Sequence, residues 1–394
     1  MKILKGMLSV FLIGVLTGCS SRLPQVTLSP QTSGTIEATP TKVIGPTTME
    51  TPTPTKVEQQ ILEQCLAIVP DINNALSGKD YGTILIDRES EKIEIYNKLA
   101  KPYLFDLGSS HKTSIDGYGF SVSLDRTKFA YLLRDQDKLL VSDKGGNILA
   151  TIPTHNDSIL RWTNDGLILE RGNTHIFLNP VNGETKELLE DFPNRYISDD
   201  YFSGIYRDVY FDPAMAKVIY FAKDKKSNEF YFSLWDISKN QEIARIPQPG
   251  LGDYGSSAEW SLDGDLVIVR SWLADDQFNF IGIHKDGRKE TLLSQNGFSY
   301  SLSPDSKIIA FWSYDKAEKN WSLSTLNLQT EQVVDYCIKS KYFPKTPIWS
   351  PDSQTLLIEV FTDDGDNTIV SLIDLGRKLA VQIAEDAKPV GWLK

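Results

Sequence analysis

From about residue 82 to the end, apolar residues come in short runs that alternate with polar ones or stay unbroken, and turn-forming residues separate them. "KFAYLL", "GLILER", "KVIYFA", "DLVIVR", "KIIAFW" and "TLLIEV" are of this kind, rich in β-branched and aromatic side chains, and they predict strands. A second and a third run follow each of them, as in "KLLVSDKGGNILATI" and "NFIGIHKDGRKETLL", with Gly, Asn or Asp where a hairpin needs positive φ. None of these segments holds a helical period over several turns, so helical repeats are disfavoured.

The runs recur with a phrase. A large apolar residue stands just before a Ser/Thr-x-Asp turn at Val122, Trp162, Trp260, Leu302 and Trp349, Phe211 stands before the related turn "DPAM", and Trp392 extends the series. The intervals lie between 40 and 49 residues, the period of solenoids, arrays and propellers. Four short strands per unit and seven units predict an all-β fold, a seven-bladed β-propeller; six or eight blades are the alternatives to this count. In "SPDS", Pro presets φ near −65° at the second turn position while Ser and Asp bond the neighbouring backbone, reversing the innermost strand into the second. The bulky residue before the turn is expected to pack between blades.

The two ends of this region complete each other. The first unit, about 82 to 107, offers only three runs, "GTILID", "KIEIYN" and "KPYLFDL", and the chain stops after one innermost-strand phrase, "PVGWLK". The last strand is therefore expected to join the first blade, closing the ring and removing its open sheet edge.

Ahead of the ring the composition changes. Lys2 and Lys5 precede the apolar run "MLSVFLIGVL", which is too short to span a bilayer, and "LTGC" follows it. Small residues directly before this cysteine resemble the lipobox of bacterial lipoproteins. The resemblance implies that 1–18 is a signal peptide, that Cys19 becomes the first mature residue, and that it carries acyl chains such as palmitate. One chain holds a protein only marginally, whereas several hold it durably. Residues 19–56 then form a Thr/Pro-rich stretch without hydrophobic period, read as a disordered stalk beginning at the lipidated cysteine. Residues 57–81 are read as an N-terminal docking segment and 82–394 as the propeller.

Two further cysteines, Cys65 and Cys337, are free to pair in an exported protein. A bridge would pin "ILEQCLAIV" onto a late part of the fold; the alternative is two unpaired buried thiols.

The phrases "WSPDSQTLLIEV", "LSPDSKIIAFWS" and "WSLDGDLVIVRS" resemble the WD-repeat-like propeller repeats of the TolB family and of the propeller domains of prolyl oligopeptidases. The similarity runs by repetition from Ser121 to Glu385. It implies a propeller and a role in protein interaction, and it is silent on a ligand because its motif residues build turns and cores.

Charge and chemistry narrow the function. A formal charge of −11 and a pI near 5.0, with no basic run, argue against a nucleic-acid partner. No Gly-x-Ser-x-Gly elbow occurs, and "GFSVS" and "GFSYS" lack the closing glycine. The four histidines, His111, His155, His175 and His284, show no metal-ligand spacing. "TDDGDN" at 362–367 has acidic residues that suggest calcium, but the spacing departs from an EF-hand loop and a tight hairpin explains it. No catalytic residue, metal or cofactor is expected.

What remains is a surface. Connections between second and third strands share a face with the links between blades. An aromatic and acidic rim is expected there, made by Trp272, Asp275, Asp276, Phe278, Tyr314, Trp321, Asp363 and Asp364. The reading is a monomeric, lipid-anchored extracytoplasmic propeller on a bacterial membrane, binding or scaffolding a protein or a cell-envelope polymer. The competing reading is a propeller enzyme of lactonase or lyase type, with carboxylates and a metal in the central channel.

Overall fold

The computed structural model describes residues 61–70, 72–87, 101–133, 136–172, 174–188, 209–223, 229–248, 257–272, 278–294, 297–361 and 367–394. All fall within the unit Lys56–Lys394. Cys19 and the Thr/Pro-rich stretch lie outside the described residues, as does "KIEIYN".

The chain forms seven antiparallel blades arranged as a propeller, each built on four strands. Blade 2 shows the plan: Tyr118–Val122, Lys128–Leu132, Lys138–Asp143 and Ile148–Pro153 pair in sequence order from the innermost strand outward. Blade 3 (158–188), blade 4 (209–248), blade 5 (258–293), blade 6 (297–340) and blade 7 (348–385) repeat it. The second and third strands carry the apolar runs and are buried almost throughout. In blade 7, Leu356, Leu357 and Ile358 are fully covered, because a blade's central strands face a neighbouring sheet on both sides. Apolar clusters accordingly join neighbours: one spans Ala310 and Leu323 of blade 6 with Trp349 and Leu356 of blade 7.

Blade 1 is assembled from both ends of the chain. Its innermost strand is Lys388–Leu393, which pairs antiparallel with Thr83–Asp87; Tyr103–Asp106 and His111–Ser114 complete the sheet. The C-terminal strand closes the ring as the pattern predicts. The outermost strand differs from the expected run, for "HKTS" takes that place. An outer edge faces water on one side and tolerates polar residues, which a search for apolar runs passes over. Closure is tight, since a Cβ on Gly391 would come within 2.7 Å of Val122 Cγ2 in blade 2.

Two blades gain a fifth strand from the N-terminal segment. Ile61–Glu63 runs parallel to the outer strand of blade 6, with Ile61 opposite Val333. Ile68–Val69 does the same on blade 7, opposite Ala380 and Val381. Between them Cys65 is joined to Cys337, with the two Cα atoms 4.7 Å apart. A helical turn at Ile72–Ala75 follows. Lys79 Nζ and Tyr81 Oη then donate to the buried Asp374 carboxylate at 3.0 and 2.7 Å before the chain enters blade 1. Residues 61–70 and 72–81 thus form a belt around the outside of blades 6 and 7. Burial and this hydrogen bond to Asp374 push the Tyr81 hydroxyl up to about 12.

Candidate functional site

The repeated turn sets the geometry of the ring's interior. In blade 7 the Ser350 hydroxyl donates to Asp352 at 2.5 Å and accepts the Thr355 N–H at 2.9 Å, while Ser353 takes φ +60°. Ser123, Ser261 and Ser303 repeat the pair with Asp125, Asp263 and Asp305, each at 2.6 Å. The left-handed residue that follows is Arg126, Gly264 or Ser306. A type I turn closed by a left-handed residue fits a short hairpin whose strands keep their natural twist. The Ser261 hydroxyl holds the Asp263 carboxyl below the usual carboxylate range.

Each tryptophan before such a turn ties two blades together. Trp162 Nε1 donates to the Ser121 carbonyl at 3.0 Å, Trp260 to Tyr210 at 2.9 Å, Trp349 to Ser301 at 3.1 Å and Trp392 to Ile348 at 3.4 Å. In every case the acceptor is the residue just before the anchor of the preceding blade. Between blades 5 and 6, where the anchor is Leu302, Tyr300 Oη takes over, its one proton shared between the Ser257 and Ile268 carbonyls at 3.0 and 2.9 Å. These aromatics are therefore interblade wedges, as their place in the phrase predicts.

The residue before the anchor also turns a side chain toward the axis. Ser121, Arg161, Tyr210 and Glu259, which precede Val122, Trp162, Phe211 and Trp260, line a central cavity of about 1140 Å³ together with Arg126 from the turn of blade 2. The Arg161 guanidinium lies 4.5 Å from the centroid of the Tyr210 ring. Glu259 is half-buried in the cavity wall, where desolvation pushes its carboxyl up to about 8 against the opposing pull of the Leu302 N–H, Arg126 and Arg161. Burial presses the guanidiniums of Arg126 and Arg161 down. Among the described residues neither guanidinium makes a side-chain hydrogen bond, and no ion pair within 4.0 Å joins either to Glu259. None of these three charged residues belongs to the expected set. The legible signal for Arg161 and Glu259 was their place one residue ahead of an anchor.

At the link face, aromatic rings gather beside the cavity. Phe298 stacks edge-on against Phe278 at 4.5 Å, Trp321 at 4.8 Å and Phe343 at 5.7 Å, and Tyr314 lies 4.7 Å from Trp321. The Arg270 guanidinium sits 5.0 and 4.9 Å from Phe278 and Phe298. The structure thus brings Phe278, Tyr314 and Trp321 into one cluster but buries two of them, at 3% exposed for Phe278 and 9% for Trp321. What the cluster presents to solvent is Phe343, 49% exposed, with Tyr342 beside it at 44%. Both come from the link between blades 6 and 7, which sequence reasoning missed because it looked for aromatics in the second connections. Trp272 ends the second strand of blade 5, its backbone paired with Phe278; its side chain lies outside the described residues, as do Asp275, Asp276, Asp363 and Asp364.

A metal-dependent channel enzyme needs several hard ligands converging on one point. Glu259 is the one carboxylate among the described lining residues, and three guanidiniums, those of Arg126, Arg161 and Arg270, line the same cavity. No group of three His, Cys, Asp or Glu side chains able to hold a metal occurs among the described residues. This donor set does not fit a divalent cation.

No protein-family model matches the sequence, and no curated protein is similar to it. Solved structures with a similar outline include TolB from Acinetobacter baumannii, 13% identical, with 74% of this chain and 79% of that one covered at a TM-score of 0.45. A eukaryotic initiation factor is 10% identical over 80% of this chain and 98% of its own, at 0.46. The β-propeller domain of Cps50 (Swd1) from Myceliophteria thermophila is 9% identical over 65% and 86%, at 0.43.

Proposed function

We propose that the protein is a lipid-anchored extracytoplasmic propeller that binds a protein or a cell-envelope polymer through its link face and performs no chemistry of its own. The observation that carries this reading is the exposure of Tyr342 and Phe343 over a stack of buried rings. Phe343 packs on Phe298 and Trp321, and Tyr342 leans on Phe361 at 5.6 Å. Two large aromatics on a rigid base offer contact area at low entropic cost, the composition of binding hot spots. The lipobox-like "LTGC" and the Thr/Pro-rich stretch behind it support a tethered module held away from a membrane.

Crosslinking and pull-down from native envelope tests this, with the wild type compared against a Tyr342→Ala, Phe343→Ala double variant. Loss of a partner from the variant, with its melting temperature unchanged, is the expected result. Identical partner sets would reject the face assignment. A Cys19→Ser variant that stays on the membrane would reject the anchor.

A further inference from the structure

We propose that the central cavity is a binding site for a carboxylate-bearing ligand of sugar-acid size, held between Arg126 and Arg161. Phe343 of the link face stands at one edge of this cavity, and the site is carried by Arg126 and Arg161, which take no part in the link-face reading.

Two half-buried guanidiniums lining one cavity repel each other, and an anion between them relieves that repulsion. Arg126 and Arg161 reach the cavity from different blades, and neither has a carboxylate within ion-pair distance among the described residues. The single acidic group near them, Glu259, leaves the site with positive charge whether or not it is ionised. A ligand carboxylate would accept two charge-assisted bonds from the forked donors, the strongest kind available here.

The surroundings choose among anions. A phosphate dianion is commonly met by a helix N-terminus or a nest of glycine N–H groups, and this lining is built from strand ends and short turns. The walls offer instead the rings of Tyr210, Trp260 and Phe211 and the hydroxyls of Ser121, Ser257 and Ser299. Apolar faces with a few hydroxyls and one charged clamp suit a polyhydroxylated ring bearing one acid group. A cavity of about 1140 Å³ holds one or two such rings.

Glu259 makes the site responsive to protons. Its carboxyl is faced by Arg126 from blade 2, Arg161 from blade 3 and the Leu302 N–H and Tyr300 from blade 6, and Tyr210 and Arg270 line the same cavity. Neutral Glu259 leaves both guanidiniums to the ligand. Ionised Glu259 competes with it.

The test is calorimetric titration of the full-length protein in detergent with D-glucuronate, and with D-glucose, inorganic phosphate and a triglutamate peptide as alternatives. Saturable one-to-one binding of glucuronate is expected, with glucose at least tenfold weaker. Arg161→Gln and Arg126→Gln should each weaken glucuronate about tenfold or more, the value of one charge-assisted pair. Affinity of the wild type should fall between about pH 6.5 and about pH 9, and the fall should vanish in Glu259→Gln. That wild-type profile serves even if the arginine variants fail to fold. Absence of glucuronate binding, equal binding of glucose, or tighter binding of phosphate or of the peptide would each overturn the proposal.

Discussion

Trp349, on the innermost strand of blade 7, donates its indole N–H to the carbonyl of Ser301 on the innermost strand of blade 6, at 3.1 Å. The contact joins two sheets that share no backbone ladder. Trp349→Phe keeps most of the burial and deletes the donor, which should cost about 1 kcal/mol. Trp349→Ala also leaves a cavity and should cost about 3–5 kcal/mol. Urea unfolding of the two variants checks the ranking; equal losses would mean that the hydrogen bond and the packing are not separable here.

Ring closure rests on one strand. Deleting residues 388–394 removes the partner of Thr83–Asp87 and the Trp392 wedge together. The truncated protein should melt at a lower temperature than any single wedge variant and should aggregate on heating, because blade 1 then exposes the edge of a buried strand. A melting curve that matches the parent would show that blade 1 holds without its last strand.

The belt adds a covalent closure. Cys65 and Cys337 are 272 residues apart in sequence, so the bond removes a large share of the unfolded chain's freedom. Cys65→Ser with Cys337→Ser should lower stability by about 2–4 kcal/mol. Limited proteolysis should then cut first near residues 61–70, detected by mass. An unchanged digestion pattern would mean that strand pairing alone retains the belt.

Stability should depend on pH through Glu259. Its carboxyl titrates near 8 in the folded protein against an ordinary value near 4.5. Between those values the folded state keeps a proton that the unfolded chain has released, so stability falls as pH rises through the window. The melting temperature of the wild type should therefore drop more steeply from about pH 5 to about pH 8.5 than that of Glu259→Gln. Parallel profiles would place the pH dependence elsewhere.

How much of this was legible depended on range. The blades were readable because the anchor, the Ser-x-Asp turn and the apolar run are neighbours in sequence and recur at 40 to 49 residues. Closure by Lys388–Leu393 followed from a unit short of one strand. The belt was legible only as a docking segment, since parallel pairing of Ile61–Glu63 with Val333–Asp335 leaves no local period to read. The cavity was legible only in the place of Arg161 and Glu259 one residue ahead of an anchor. Arg126, Arg161 and Glu259 are single residues from three blades, and their juxtaposition exists only once the ring has closed. The aromatic surface was half legible: Phe278, Tyr314 and Trp321 do meet, but their size drew them inward, and the smaller link between blades supplies the exposed rings.

The belt also sets how the ring bears load. A tug on the chain ahead of Ile61 pulls along the axis of a strand paired in parallel with Val333–Asp335, so its ladder resists in shear, all bonds sharing the force. Should that ladder give way, extension stops at Cys65, which is bonded into blade 6. Any slack ahead of the ring is then limited to the residues before that cysteine.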